Sequence, residues 1–123
     1  MPDLAFGKDN RSYFPTKYHG EVSVSKAKWD EVCQEPERFY YRENAEKIAT
    51  ALVNPEHVRH SKNYPNQFMY YKKFEMVRIG GKEVISRAPY WAIVIDVSTR
   101  KICTLYPTPR VKSGKEYTGE SAK

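Results

Sequence analysis

Two stretches decide the fold class: Phe68-Met69-Tyr70-Tyr71-Lys72-Lys73-Phe74-Glu75-Met76-Val77-Arg78 and Tyr90-Trp91-Ala92-Ile93-Val94-Ile95-Asp96-Val97. Both are rich in aromatic and β-branched residues, which favour a pleated surface, and Gly80-Gly81 between them is a hairpin signal. The second stretch is apolar on successive positions as well as alternate ones, so it reads as a central strand covered on both faces. Val84 to Arg87 starts the return of the hairpin. Ser98-Thr99-Arg100 then supplies a polar turn, and Lys101 to Tyr106 reads as the next strand.

Upstream, the period changes to that of helices. Ser25 is a plausible N-cap for a helix over Lys26 to Gln34, whose Trp29, Val32 and Cys33 fall at i, i+3 and i+4. A second helix from about Arg42 to Val53 carries Ala45, Ile48, Ala49, Leu52 and Val53 on one stripe, and Asn54-Pro55 ends it. Residues 1–20 show no sustained period and read as an N-terminal arm, with a short strand near Glu21 to Val24. The expected architecture is α+β: N-terminal helices packed on one face of an antiparallel sheet of about three to five strands. The expected organisation is an arm over 1–20, one domain over 21–108, and a flexible basic tail over 109–123.

The composition bounds the function. At 123 residues the chain fits a single core, and a net charge of +6 favours polyanionic partners such as RNA. No run approaches the ~20 apolar residues of a membrane span, and the N-terminus lacks the basic start and apolar core of an export signal, so a cytoplasmic chain is expected. Two cysteines without CxxC or Cys/His spacing give no zinc site and read as reduced thiols. Phosphate-binding glycine motifs and a Ser/His/Asp elbow are missing, which argues against nucleotide hydrolysis and dehydrogenase chemistry; no cofactor and no metal are expected.

The chemistry concentrates in His57-Val58-Arg59-His60-Ser61-Lys62. Metal-free RNA cleavage needs a base for the 2′-hydroxyl, an acid for the leaving 5′-oxygen and cations for the phosphorane, and this segment holds all three kinds of group. The competing reading is a solvated basic loop. Alternation puts Lys72 among aromatics on one side of its strand, and Thr104 and Tyr106 on one side of theirs, where they could meet a lysine from a neighbouring strand. Tyr70 and Tyr71 could stack on unpaired bases, although half-buried packing is the commoner role of tyrosine in a small sheet.

The order of these pieces resembles a family. A Trp-containing helix (Trp29-Asp30-Glu31-Val32), a helix ending Leu52-Val53-Asn54-Pro55-Glu56, then Val58-Arg59-His60-Ser61, Tyr70-Tyr71-Lys72, the Trp91–Val97 strand and Ile102-Cys103-Thr104-Leu105-Tyr106-Pro107-Thr108 are similar to phage and polymorphic-toxin members of the BECR nuclease fold. That group joins barnase, EndoU, colicin-type and RelE-like ribonucleases. The resemblance covers about two thirds of the chain and implies a metal-independent, toxin-like endoribonuclease acting on tRNA or other single-stranded RNA, with a small acidic immunity or antitoxin protein as a possible partner. It places Ser61, Tyr71, Lys72 and Thr104 in the site with Arg59 beside them, while His60 comes from the chemical argument. Lys62, Lys73, Tyr70 and Tyr106 complete the set as substrate-binding residues. The chain departs from the family in residues 1–20, at Pro36-Glu37 and in its long 78–89 hairpin. The alternatives are a non-catalytic basic nucleic-acid-binding module and a phage-type interaction protein.

Overall fold

A computed structural model describes residues 3–119. In chain order the elements are β1 (Arg11–Thr16), β2 (Gly20–Ser25), α1 (Lys26–Gln34), α2 (Glu46–Val53), β3 (His57–His60), β4 (Gln67–Lys73), β5 (Met76–Ile79), β6 (Lys82–Ile85), β7 (Tyr90–Asp96) and β8 (Lys101–Thr108); two single 3-10 turns, Pro36–Arg38 and Arg42–Asn44, link the helices. Ser25 caps α1 as its position suggests, its hydroxyl accepting from the Lys28 N–H at 3.0 Å.

The expected architecture is overturned. Instead of N-terminal helices on an antiparallel sheet of three to five strands, the chain builds a mixed six-stranded sheet in the order β1-β2-β8-β7-β4-β3, with β5-β6 as a separate two-stranded sheet. Strands open the fold: β1 and β2 form an antiparallel hairpin before either helix begins, so the segment read as an arm holds the edge strand. β1 escapes the pattern because it buries only Phe14 and contains Pro15, which an edge strand tolerates and a central strand does not. The hairpin joins the sheet where Ser23 pairs with Lys101 in parallel, across most of the chain length. No local periodicity reports a pairing of that kind. The strand read as running from Phe68 to Arg78 breaks after Lys73, and its second half turns away as β5.

Cross-strand partners share a face of a sheet, so the register sorts every side chain. Val58, Tyr70, Ile93 and Leu105 form one row; His60, Phe68, Ile95 and Ile102 form the next; both belong to the face that meets the helices. On that face the rows pack with Trp29 and Val32 of α1 and Ile48, Ala51 and Leu52 of α2 in a single core, where Trp91 stacks on Tyr41 at 4.1 Å. The opposite face, which neither helix covers, carries the rows Arg59-Met69-Val94-Thr104 and His57-Tyr71-Ala92-Tyr106, of which Tyr71, Ala92 and Val94 are buried and the rest are partly accessible. A β-bulge between Val94 and Ile95 leaves Cys103 as an extra residue, so Ile102 joins the core side with Leu105 while Thr104 and Tyr106 stay on the open side. Simple alternation places Ile102 with Thr104; the bulge is what separates them.

Candidate RNA-binding face

The register divides the candidate residues between two faces. Arg59, Tyr71, Thr104, Tyr106 and Lys73 lie on the open face, and His60, Tyr70 and Lys72 lie in rows that face the helices. Ser61 and Lys62 follow the end of β3. Lys72 therefore does not share a cleft with Thr104. It stands beside Trp91 in register, with its ammonium 3.9 Å from the Glu56 carboxylate. Tyr70 is fully buried, and its hydroxyl accepts from the Tyr18 N–H at 3.2 Å and meets His19 Nδ1 at 2.6 Å, so it presents no ring to a base. Lys73 lies 3.7 Å from Glu75, and Ser61 Oγ accepts from the Tyr64 N–H at 3.2 Å, closing the turn after β3.

What remains is a hydroxyl-bearing face with cations along one side. Tyr71, Tyr106 and Thr108 line one shallow depression together with Arg110, Val111, Lys112 and Ser113. Burial pushes the Tyr71 phenol up to about 12, so it is a neutral hydrogen-bonding group at physiological pH. A second depression of about 400 Å³ lies over the end of β3, with Arg59, His60, Ser61 and Lys62 on one side and Lys112 and Lys115 on the other. His60 reaches it from the edge strand, where its ring stacks on Phe68 at 4.4 Å and its Nε2 meets the Pro65 carbonyl at 2.7 Å. A carbonyl only accepts, so Nε2 carries the proton and Nδ1 keeps its lone pair in the neutral ring.

Three groups at or near this face were not among the candidate site residues read from sequence. His57 sits beside Tyr71 and two residues from Arg59 on the open face, with Nδ1 3.1 Å from Glu116 Oε1. Since a carboxylate accepts, the proton of neutral His57 resides on Nδ1 and leaves Nε2 as a base. Glu116 belongs to the segment read as a flexible tail. That segment runs back along β3: the Tyr117 N–H donates to the Val58 carbonyl at 2.7 Å, the Val58 N–H donates to Glu116 Oε2 at 2.8 Å, and Arg59 Nη1 donates to Glu116 Oε1. Partial burial raises the Glu116 carboxyl, but the Val58 amide, His57 and Arg59 outweigh it, and the group titrates below its ordinary value. Residues 120–123 of the expected tail lie outside the described residues.

His19 is the third. It sits in the β1–β2 turn, packed against Phe68 at 4.2 Å and Tyr117 at 5.2 Å. A lone histidine among polar residues carries no sequence signal of such a position, and only the fold of β1 brings it there.

Both cysteines are free and half-buried, and burial pushes the Cys33 thiol up to about 11, away from thiolate chemistry. Among the described residues no group of three or more His, Cys, Asp or Glu is arranged to hold a metal ion, and no helix is long and apolar enough to cross a membrane. A scan against protein-family models, a search of curated proteins and a search of solved structures each return no match.

Proposed function

We propose that the chain is a metal-independent endoribonuclease that takes single-stranded RNA on the open face of its sheet. The observation that carries the reading is the placement of His57 and Arg59 on that face, with Tyr106 and Thr104 in the same two rows and the His60–Lys62 turn at their end. The resemblance to BECR ribonucleases points to the same reaction class.

In this scheme His57 Nε2 removes the proton of a ribose 2′-hydroxyl, and the 2′-oxygen attacks the adjacent phosphorus. The phosphorus–5′-oxygen bond breaks, and protonated His60, reaching in from the edge strand, returns a proton to the leaving oxygen. Arg59 holds the extra negative charge of the phosphorane, where its planar fork matches two phosphate oxygens. Tyr106 and Thr104 orient ribose and base, while Tyr71, 1% exposed, is a packing residue of that face. The product is a 2′,3′-cyclic phosphate, and no redox or metal partner is required. A small acidic antitoxin would compete with RNA for Arg59.

The test is cleavage of tRNA and total RNA in the presence of chelator. His57→Ala and His60→Ala should each lower the rate by about 10²–10⁴, the usual contribution of a positioned acid or base. Absence of cleavage by the wild type, or undiminished cleavage by the double variant, rules the reaction out.

A second reading, RNA binding without turnover through the same face, is favoured by one observation: of the chain's three histidines, only His57 lies on the open face itself. It predicts binding that weakens with salt and no cyclic-phosphate product.

A further inference from the structure

The carboxylate of Glu116 is held by three donors that converge from β3: the Val58 backbone N–H at 2.8 Å, His57 Nδ1 at 3.1 Å and the Arg59 guanidinium. A guanidinium, an imidazole and a backbone amide around one point form an oxyanion-binding site, the set of groups that proteins use for phosphate. Here the chain fills that site with its own side chain.

The segment that carries Glu116 is anchored at Tyr117, whose ring packs with His19 and Phe68, and is irregular before Glu116. Over Arg110 to Lys115 it forms neither helix nor strand, and Gly114 has a φ of 154°. Its other ties to β3 are the Tyr117 N–H to Val58 carbonyl bond at 2.7 Å and a long bond of 3.3 Å from Arg59 Nε to the Lys112 carbonyl. Lys112, Ser113, Gly114 and Lys115 roof the same depression that Arg59, His60, Ser61 and Lys62 floor. The strap thus closes the candidate site while bringing Arg110, Lys112 and Lys115 to its rim.

We infer that Val58 N–H, His57 and Arg59 form a phosphate site for the RNA backbone, and that Glu116 occupies it as an internal mimic, making residues 110–117 an autoinhibitory strap. The inference rests on the reading of the open face as an RNA site. RNA displaces Glu116, Arg59 exchanges a carboxylate for a phosphate, and the lysines of the freed strap stay tethered beside the substrate as further phosphate contacts. When the competent form is a fraction of the population, apparent affinity falls by that fraction, so a strap closed about nine-tenths of the time costs about tenfold.

The experiment compares wild type, Glu116→Gln and Glu116→Gln/Arg59→Ala at fixed salt, with a fluorescent single-stranded RNA and with inorganic phosphate as probes. Binding is followed by anisotropy for the RNA and by the His57 ring signals in NMR for phosphate. Glutamine keeps one oxygen to accept from Val58, removes the charge and replaces the oxygen that faces His57 and Arg59 with an amide NH2 that cannot accept from them. The expected result is about tenfold tighter binding of both probes by Glu116→Gln, with the gain lost in the double variant. Without RNA, trypsin should also cut at Lys112 and Lys115 faster in Glu116→Gln than in wild type. Tighter phosphate binding without any RNA binding keeps the anion site and removes the RNA reading. Equal RNA affinity in wild type and Glu116→Gln, or weaker affinity in Glu116→Gln, overturns the strap while leaving the RNA reading intact. No binding of either probe by any form overturns both. Tyr117→Ala, which loosens the strap without touching the anion site, guards against a folding defect: it should tighten RNA binding in the same direction, and unchanged affinity in a folded Tyr117→Ala protein counts against the strap.

Discussion

His19 shows at the residue scale what the fold does to an unremarkable side chain. Its Nδ1 meets the Tyr70 hydroxyl, its ring lies between Phe68 and Tyr117, and its Nε2 is buried without a partner. Burial first, and the charge of His60 second, depress its pKa below 6.5. The folded chain therefore holds His19 neutral while the unfolded chain protonates it near 6.5, so its contribution is present above that pH and is lost as pH falls through the lowered folded value. Glu116 acts in a lower window. Its folded pKa lies below 4.5, so its contribution is present above 4.5 and disappears as pH drops beneath that. Urea unfolding at pH 7 and pH 5 should show lower stability at pH 5, and His19→Gln should flatten that difference. An equally steep loss in His19→Gln would assign the pH dependence to other groups. None of this was legible in the sequence, where His19 sits among polar residues of a segment without period. By contrast His57 stood in the chemical segment from the start. Only the register of β3 against β4 selects it over His60 as the imidazole of the open face.

At the scale of elements, the helices and the hairpin signal were readable because their information is local. Ser25 begins α1, Asn54-Pro55 ends α2, and Gly80-Gly81, both with positive φ, turn β5 into β6. What holds that hairpin to the body was not readable. Buried Asn44 donates to the Tyr40 and Arg78 carbonyls at 2.7 and 2.8 Å and accepts from the Arg78 N–H at 2.9 Å, while the Glu43 carboxylate accepts from the N–H groups of Gly80 and Gly81. Asn44→Ala strands three backbone groups, two of them on the hairpin, and should cost about 2–4 kcal/mol in urea unfolding, with the amides of β5 and β6 losing hydrogen-exchange protection first. A cost under about 0.5 kcal/mol, the range of ordinary surface substitutions, would show that the hairpin is held by packing of Val77 instead. The bulge at Val94/Ile95 is a second element-level device. It keeps Ile102 and Leu105 in the core and Thr104 and Tyr106 on the open face, an arrangement that strict alternation along β8 forbids.

For the whole molecule, the decisive events are pairings between distant segments: β2 with β8 in parallel, β4 with β7, and the 110–117 strap with β3. Sequence periodicity reports burial of a segment, not its neighbour, and so the strand count, the mixed sheet and the position of the edge could not be read from it. The candidate site suffered from the same limit. Arg59, Tyr71, Thr104 and Tyr106 belong together, but Lys72, adjacent to Tyr71 in sequence, faces the helices, and Glu116 comes from a tail with no visible role. The account's central claim is that the open face, and not the mere basic charge of +6, engages RNA. The most direct test measures single-stranded RNA binding across about 50–200 mM salt for wild type, Arg59→Ala and Lys72→Ala, two single-cation removals on opposite faces of one sheet. The account predicts that Arg59→Ala weakens binding and lowers the salt slope by about one, while Lys72→Ala matches wild type in both. Equal losses in the two variants, or full affinity in Arg59→Ala, would contradict it.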